Sequence, residues 1–420
     1  MPNDSPSPQE PLSQSQLEHL RRKITAIFLA GVGIGSTGFI AAITISTLAA
    51  AEISGAATWS GLPSALSILG TAAGTSLLAE AMQRWGRRNG LLCGYLVAAL
   101  GAATAIVAVV KGSFPLLVLG MFTIGLGRSG ESLSRYLVAD LHPVGRRATA
   151  IGWMVWVGTI GAVIGPNSFD PAGRLAMHLG LPRLSGPYLV TLGAYSLVGL
   201  LYVTLLRPDP SILIHDEDHA DESKERIPLA RLLQPGRVRI ALAVLVVGQV
   251  VMVLIMTMTP LHLKIADHHL GTIGFVMSSH IVGMFIFSPV TGRLVDRWGK
   301  LPVILIGMVM LLVAAVSALL VPATDVQLVA IALFLLGLGW NFGFVAGSAL
   351  LSSGMPPRQR ARLQGTTDSL IWLSAALASL SSGIVLAALG YDALCLVGAL
   401  LLVIPAAVIL RYRKELEKPA

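Results

Sequence analysis

The sequence predicts an all-helical (all-α) membrane protein with twelve transmembrane helices in two pseudo-symmetric six-helix bundles, and three observations carry that expectation. Of 420 residues, 54% are hydrophobic and only 12% are charged, too few charges to cover a water-soluble domain of this size. Mean hydropathy is +0.74. Apolar runs of roughly 20 residues, each able to cross ~30 Å of hydrocarbon, recur along the chain, and one polar stretch divides them six and six.

In chain order the runs fall near 24–50, 58–80, 89–110, 115–137, 148–166, 188–206, 238–260, 271–292, 301–321, 325–350, 363–388 and 391–411. Residues 1–22 are expected to be a disordered cytoplasmic tail, because 1–20 are rich in Pro, Ser and Gln. They lack the apolar core of a cleavable signal, so the first span itself is expected to direct insertion. The first bundle is then 23–206 and the second 238–412, followed by a tail, 413–420. Between the bundles lies "RPDPSILIHDEDHADESKERIPLARLLQPGR", a polar linker over 207–237.

The net charge is +8, and its distribution matters more than its size. Arg21, Arg22, Lys23, Arg84, Arg87, Arg88, Arg146, Arg147, Arg293, Arg297, Lys300, Arg358, Arg360, Arg362, Arg411 and Arg413 fall on one side of the threaded chain. The opposite loops hold only Lys111, Arg174, Arg183 and Lys264. Cations concentrate on the cytoplasmic side of a membrane protein, so both termini are expected there. The basicity orients the chain in the lipid bilayer and does not call for nucleic acid. Cys93 and Cys395 lie at opposite ends of the spans, which argues against a disulfide between them, and two cysteines exclude a Cys-rich metal site. The sequence carries no nucleotide-binding loop and no nucleophile–base constellation. It therefore reads as no enzyme and needs no resident cofactor; its driving energy must come from a gradient.

Two six-span halves suggest an internal repeat, a common plan among secondary transporters. After the eighth span comes "GRLVDRWGK", with Gly292, Asp296, Arg297, Gly299 and Lys300. After the second comes "AMQRWGRR", with Gln83, Arg84, Gly86, Arg87 and Arg88. The spacing of Arg-Trp-Gly repeats. These stretches resemble the gate motif of the major facilitator superfamily, G-x-x-x-D-R-x-G-R/K. The resemblance implies that Gly292, Asp296, Arg297 and Gly299 help to latch a gate through Asp–Arg contacts. Ala79 and Gln83 replace the Gly and Asp in the first copy, which therefore lacks the carboxylate of a charged latch. In the fifth span, "GTIGAVIGP" (Gly158, Gly161, Gly165, Pro166) resembles the Gly-Pro motif of antiporters in that superfamily, and its small residues also suit close helix packing.

The seventh and eighth spans form a hairpin with unusual side chains. Met252 and Met256 are four apart and share a helix face; His280 and Met284 repeat the spacing on the other arm, with Met277 one turn further out. Met252 and His280 each lie 14 residues from the hairpin midpoint at 266, which predicts a similar membrane depth. Together these groups would make a ladder of soft ligands ~16 Å tall. Met258, His262, His268 and His269 are expected at its outer mouth. Thioethers are neutral, soft ligands that select Cu(I), and imidazole also accepts copper. Neither span holds a carboxylate. Ser278, Ser279 or a backbone carbonyl is expected to hold the second ring nitrogen of His280.

M-x-x-x-M on the seventh helix and H-x-x-x-M on the eighth resemble the CcoA-like (CalT) copper importers of the superfamily. That resemblance implies that Met252, Met256, His280 and Met284 bind copper, and that the activity is copper import across the bacterial inner membrane. A cytoplasmic copper acceptor, feeding cbb3-type cytochrome oxidase assembly, would be the partner. A sister group that imports riboflavin is similar throughout and gives the alternative reading. Proton-linked efflux of drugs or metabolites is a third, prompted by the Gly-Pro motif.

Other polar groups sit deep in the runs. "GLGRSGESLSRY" in the fourth span places Arg128 and Glu131 three apart on one helical face. A lone arginine at mid-bilayer costs about 2.5–3.5 kcal/mol on insertion scales, so the pair is expected to face the protein interior. Proton exchange at Glu131, tuned by Arg128, and a static ion pair both fit. Glu80 and Asp368 lie nearer the span ends. "GLGWNFGF" gives the tenth span close packing and a polar Asn341.

Overall fold

The computed structural model describes residues 14–142, 147–210, 233–351, 353 and 357–416. Arg146, the bulk of the linker (211–232), residues 1–13 and residues 417–420 lie outside the described residues. So do the side chains of Arg147, Arg358, Arg360, Arg362 and Arg413. Among the described residues every regular element is helical.

The first six spans are Gln14–Ser54, Leu62–Trp85, Arg87–Lys111, Phe114–Asp140, Arg147–Asn167 and Gly186–Leu205. The last six are Gly236–Ile265, Leu270–Trp298, Lys300–Leu320, Val326–Leu351, Pro357–Leu389 and Tyr391–Leu416, the eighth and twelfth each in two segments. Eleven are long and apolar enough to cross a membrane. The remaining one is the fourth, 27 residues long, whose hydropathy is lowered by Arg128 and Glu131. The chain is a multi-pass membrane protein of twelve spans. Gln14, Leu416 and the described flanks of the linker (207–210 and 233–235) lie at one end of the bundle, called here the near end; the opposite is the far end.

Three expectations need correction. Residues 14–22, expected to be disordered, are helical. Leu17 and Leu20 are half-buried on the line that continues to buried Ile24, so an apolar stripe extends the helix beyond the lipid. The eighth span breaks after Phe285 and restarts at Ser288, because Pro289 has no N–H to give the carbonyl one turn back. Pro405 explains the break after Leu401 in the same way. Between the fifth and sixth spans, where a loop was expected, Phe169–His178 forms a short helix. It buries Phe169, Ala172, Gly173 and Ala176, and Arg183 Nη2 donates to Asp170 Oδ1 at 2.6 Å to hold it.

Within the first half, the first span packs on the fourth, fifth and sixth; within the second, the seventh packs on the tenth, eleventh and twelfth. The halves meet through the second and eleventh spans, the fifth and eighth, and the first and seventh. Their closest contacts lie at the far end. Ser379 Oγ donates to Gly61 O at 3.0 Å, and a Cβ on Gly61 would stand 1.6 Å from the Ser379 carbonyl oxygen. Asn167 Nδ2 donates to Ser278 Oγ at 2.7 Å, and Ser278 Oγ to Val163 O at 3.1 Å. A Cβ on Gly274 would meet Pro166 O at 2.2 Å. The far end is therefore sealed backbone to backbone.

Candidate functional site: the seventh and eighth spans

His280 is fully buried, with its Nδ1 2.8 Å from the Leu333 carbonyl oxygen on the tenth span. A carbonyl can only accept, so Nδ1 carries the proton and donates it. Nε2 is then left with its lone pair, and it is buried without a hydrogen-bond partner. Fixing one ring nitrogen by a hydrogen bond and freeing the other is how a metal-ligating histidine is prepared. The expected serines do not play this part. Ser278 bonds across to the first half and Ser279 Oγ returns to Phe275 O at 3.0 Å. The tenth span comes close enough because Gly337 is small there: a Cβ would stand 2.2 Å from His280 O.

The methionines divide by exposure. Met252, Met258 and Met277 are buried in the apolar core, while Met256 and Met284 are half-buried against it. The two arms of the hairpin touch lightly; the eighth packs chiefly on the tenth span, while the seventh is shared among the tenth, eleventh and twelfth. A ladder running between directly facing arms is thus not the arrangement found; the arms are joined through a third helix. Of the partners expected for His280 it is the backbone carbonyl that is found, and nothing in the sequence places it on the tenth span.

The three mouth histidines are not brought together. His262 stacks on Tyr391 with ring centroids 4.0 Å apart, and Tyr391 Oη is 2.8 Å from Thr259 Oγ1. His268 Nε2 is 2.7 Å from Ala323 O in the loop before the tenth span, and His269 is exposed at the start of the eighth. Among the described residues, no group of three or more His, Cys, Asp or Glu is placed to hold a metal ion. The expected cluster fails because each ring is engaged by, or exposed on, a different local element.

Asn341 ties the broken eighth span together. Its Nδ2 donates to Met284 O at 2.6 Å and Ser288 Oγ at 2.7 Å, and its Oδ1 accepts from Thr291 Oγ1 at 2.6 Å. Met284 thus sits at a helix break whose free carbonyl is satisfied from the tenth span. Asn341→Leu is expected to strand these partners, costing about 1–3 kcal/mol for each buried group left unpaired; thermal unfolding of the purified protein reads the loss. Beside it, Trp340 Nε1 donates to buried Gln249 Oε1 at 2.8 Å and stacks on Phe344 at 4.7 Å.

In the first half, Arg128 and Glu131 are brought together loosely. Arg128 Nε is 4.0 Å from Glu131 Oε2, its guanidinium lies 3.8 Å over the Phe39 ring, and Ser36 Oγ donates to Oε2 at 3.3 Å. Glu131 is 6% exposed, and its Oε1 has no hydrogen-bond partner. Gly35 makes room for that oxygen, since a Cβ there would approach it to 2.6 Å.

The gate motif repeats in backbone as well as in letters. Gly86 and Gly299 take the same left-handed turn, φ 83° and 87°, each directly after an exposed Trp. Asp296 and Arg297 are exposed, and Asp296 makes no ion pair with a described residue. In the first copy, Asp209 at the start of the linker stands in for the missing carboxylate. Its Oδ2 accepts from Arg88 N at 3.0 Å, capping the third span, while Arg88 Nη2 donates to Val203 O at 2.7 Å. Asp209→Ala is expected to cost about 1 kcal/mol, the usual worth of a helix cap, read as a lower unfolding temperature that Asp209→Asn partly restores.

Two bundles of six spans, closed at the far end and holding buried polar groups, have the plan of a secondary transporter. The chain belongs to the Major Facilitator Superfamily, whose family model matches residues 24–271 and 263–420. The MFS-type transporter YdeG of Bacillus subtilis (strain 168) is 38% identical over 385 residues, 90% of each chain. The riboflavin transporter RfnT of Brucella anthropi is 28% identical over 382 residues, covering 89% of this chain and 91% of RfnT. In fold, the chain is similar to a bacterial homologue of the human lysosomal transporter Spinster, with a TM-score of 0.72 at 13% identity, covering 97% of this chain and 100% of that one.

Proposed function

We propose that this transporter imports copper, carried as Cu(I), across the bacterial inner membrane, with both termini in the cytoplasm. The observation that carries the reading is the buried His280 ring, held through Nδ1 with Nε2 unpartnered. Met252, Met256 and Met284 are the thioethers offered by the same pair of spans, and a soft, neutral set of this kind favours Cu(I) over hard cations. Successive modest ligands suit transport, which requires release as well as capture. Glu131, buried beside Arg128, would exchange the coupled proton. The acceptor would be a cytoplasmic copper carrier serving cbb3-type oxidase, as the hairpin's resemblance to CcoA-like importers implies. Radioactive copper uptake in cells lacking their own importer tests this: uptake is expected to collapse in Met256→Leu plus His280→Leu, and normal uptake in that variant removes the hairpin from the mechanism.

Import of a flat organic nutrient such as riboflavin is a second reading, favoured by the similarity to RfnT and by the rings of Trp340, Phe344 and Phe285 around one side of the tenth span. It predicts rescue of a riboflavin auxotroph that is indifferent to the hairpin substitutions.

A further inference from the structure

The core of the first half contains four tyrosines, Tyr95, Tyr188, Tyr195 and Tyr202, each fully buried and each with a hydroxyl that has no hydrogen-bond partner. A buried hydroxyl without a partner costs about 1–3 kcal/mol, and native interiors satisfy such groups with protein or internal water. Three of the four form a connected set: Tyr95 lies 5.1 Å from Tyr202 and 6.0 Å from Tyr195 between ring centroids. The Tyr202 hydroxyl lies beside those of Tyr95 and Ser134 without completing a bond to either. Glu131 is within electrostatic reach of Tyr95, Tyr195 and Tyr202, and presents the unpartnered Oε1. The other polar groups facing Glu131 are Arg128 and Arg135 on its own span and Ser36 on the first.

Depth orders these groups. Glu131 and Tyr195 lie nine and ten residues from the near ends of their spans, Tyr95 eight, and Tyr202 three. At 1.5 Å per residue the set descends from about 15 Å inside to about 5 Å from the near end. There the Tyr202 carbonyl accepts from Arg88 Nε at 3.3 Å, in the first turn of the third span.

We infer that the hydroxyls of Tyr195, Tyr95 and Tyr202, with Glu131 Oε1, hold a file of internal water that passes protons between Glu131 and the near end, inside the first bundle. Each hydroxyl accepts a proton on one side and releases its own on the other, so no tyrosine changes charge. The inference builds on the reading of Glu131 as the proton-exchanging carboxylate; loss of proton-coupled uptake in Glu131→Gln tests that reading separately.

The test is hydrogen–deuterium exchange at the Glu131 carboxyl, followed by infrared difference spectroscopy on the full-length protein in lipid, with Glu131→Gln identifying the band. Tyr202→Phe and Tyr95→Phe keep the rings and remove only the hydroxyls. Each is expected to slow the exchange about tenfold, equivalent to about 1.4 kcal/mol on the barrier, whereas Tyr188→Phe, at the far end, leaves it unchanged. Exchange as fast in the Tyr202 and Tyr95 variants as in the wild type overturns the inference. So does equal slowing in Tyr188→Phe, or a Glu131 carboxyl that takes up no proton at any pH. Should Tyr202→Phe fail to fold, Tyr95→Phe carries the same expectation.

Discussion

Gly61→Val is expected to hold the transporter open at its far end and stop transport without unfolding either half. The valine Cβ would enter the space of the Ser379 carbonyl oxygen, 1.6 Å away, and the obstacle is backbone. Ordinary overpacking costs about 1–3 kcal/mol, and backbone yields less readily than a side chain. A penalty of about 3 kcal/mol on the closed state shifts its population more than a hundredfold. The penalty falls only on the state in which the second and eleventh spans meet, since Gly61 meets no neighbour of its own half this closely. Gly274→Val, against Pro166 O on the other side of the same seal, should act in the same direction. Distance measurements between spin labels at the far ends of the two halves should show the closed population lost. Retention of the short distance in both variants would mean that the seal adapts and that these glycines do not set it.

His280→Leu is expected to abolish copper uptake while leaving the fold intact. The imidazole makes one hydrogen bond, to Leu333 O, and buries an unpartnered nitrogen. Leucine removes both together, and the loss of a net ~1 kcal/mol bond is offset by removal of an unsatisfied polar atom. The unfolding temperature should therefore change little or rise. Transport should fall by at least about 100-fold, since even partners one shell removed from a metal are worth 10–100-fold in affinity. A residue whose removal helps the fold and destroys the activity is retained for the activity. If uptake and stability instead fall together, His280 is a packing residue and the metal reading loses its anchor.

Much of the fold was legible because the bilayer imposes a simple rule on length and polarity. The twelve runs led directly to the spans and the two halves, and the repeated Arg-Trp-Gly spacing marked the places where the backbone turns match at Gly86 and Gly299. The fourth span was found despite Arg128 and Glu131. What escaped depends on contacts between helices distant in sequence. A backbone carbonyl was among the expected partners of His280, but that it is Leu333 O on the tenth span was not legible, since no residue type marks a carbonyl; the nearest sign was Gly337, which permits the approach. The mouth histidines were legible as residues, but a hairpin and its loop set their directions independently, so His262 turned to Tyr391 and His268 to Ala323. Asp209 sits in the polar linker, and only the Gln83 of the first gate motif, which lacks a carboxylate, points to one supplied from elsewhere. The far-end seal was invisible for a related reason: small residues are common in all these spans, and only pairing shows which ones meet.

X-ray absorption at the copper edge, on the purified transporter loaded with Cu(I), tests the central claim most directly. The account predicts one imidazole nitrogen with two or more thioether sulfurs, the nitrogen lost in His280→Leu and the sulfur signal reduced in Met256→Leu. Copper that fails to bind, or a spectrum without sulfur that both variants leave unchanged, would contradict it.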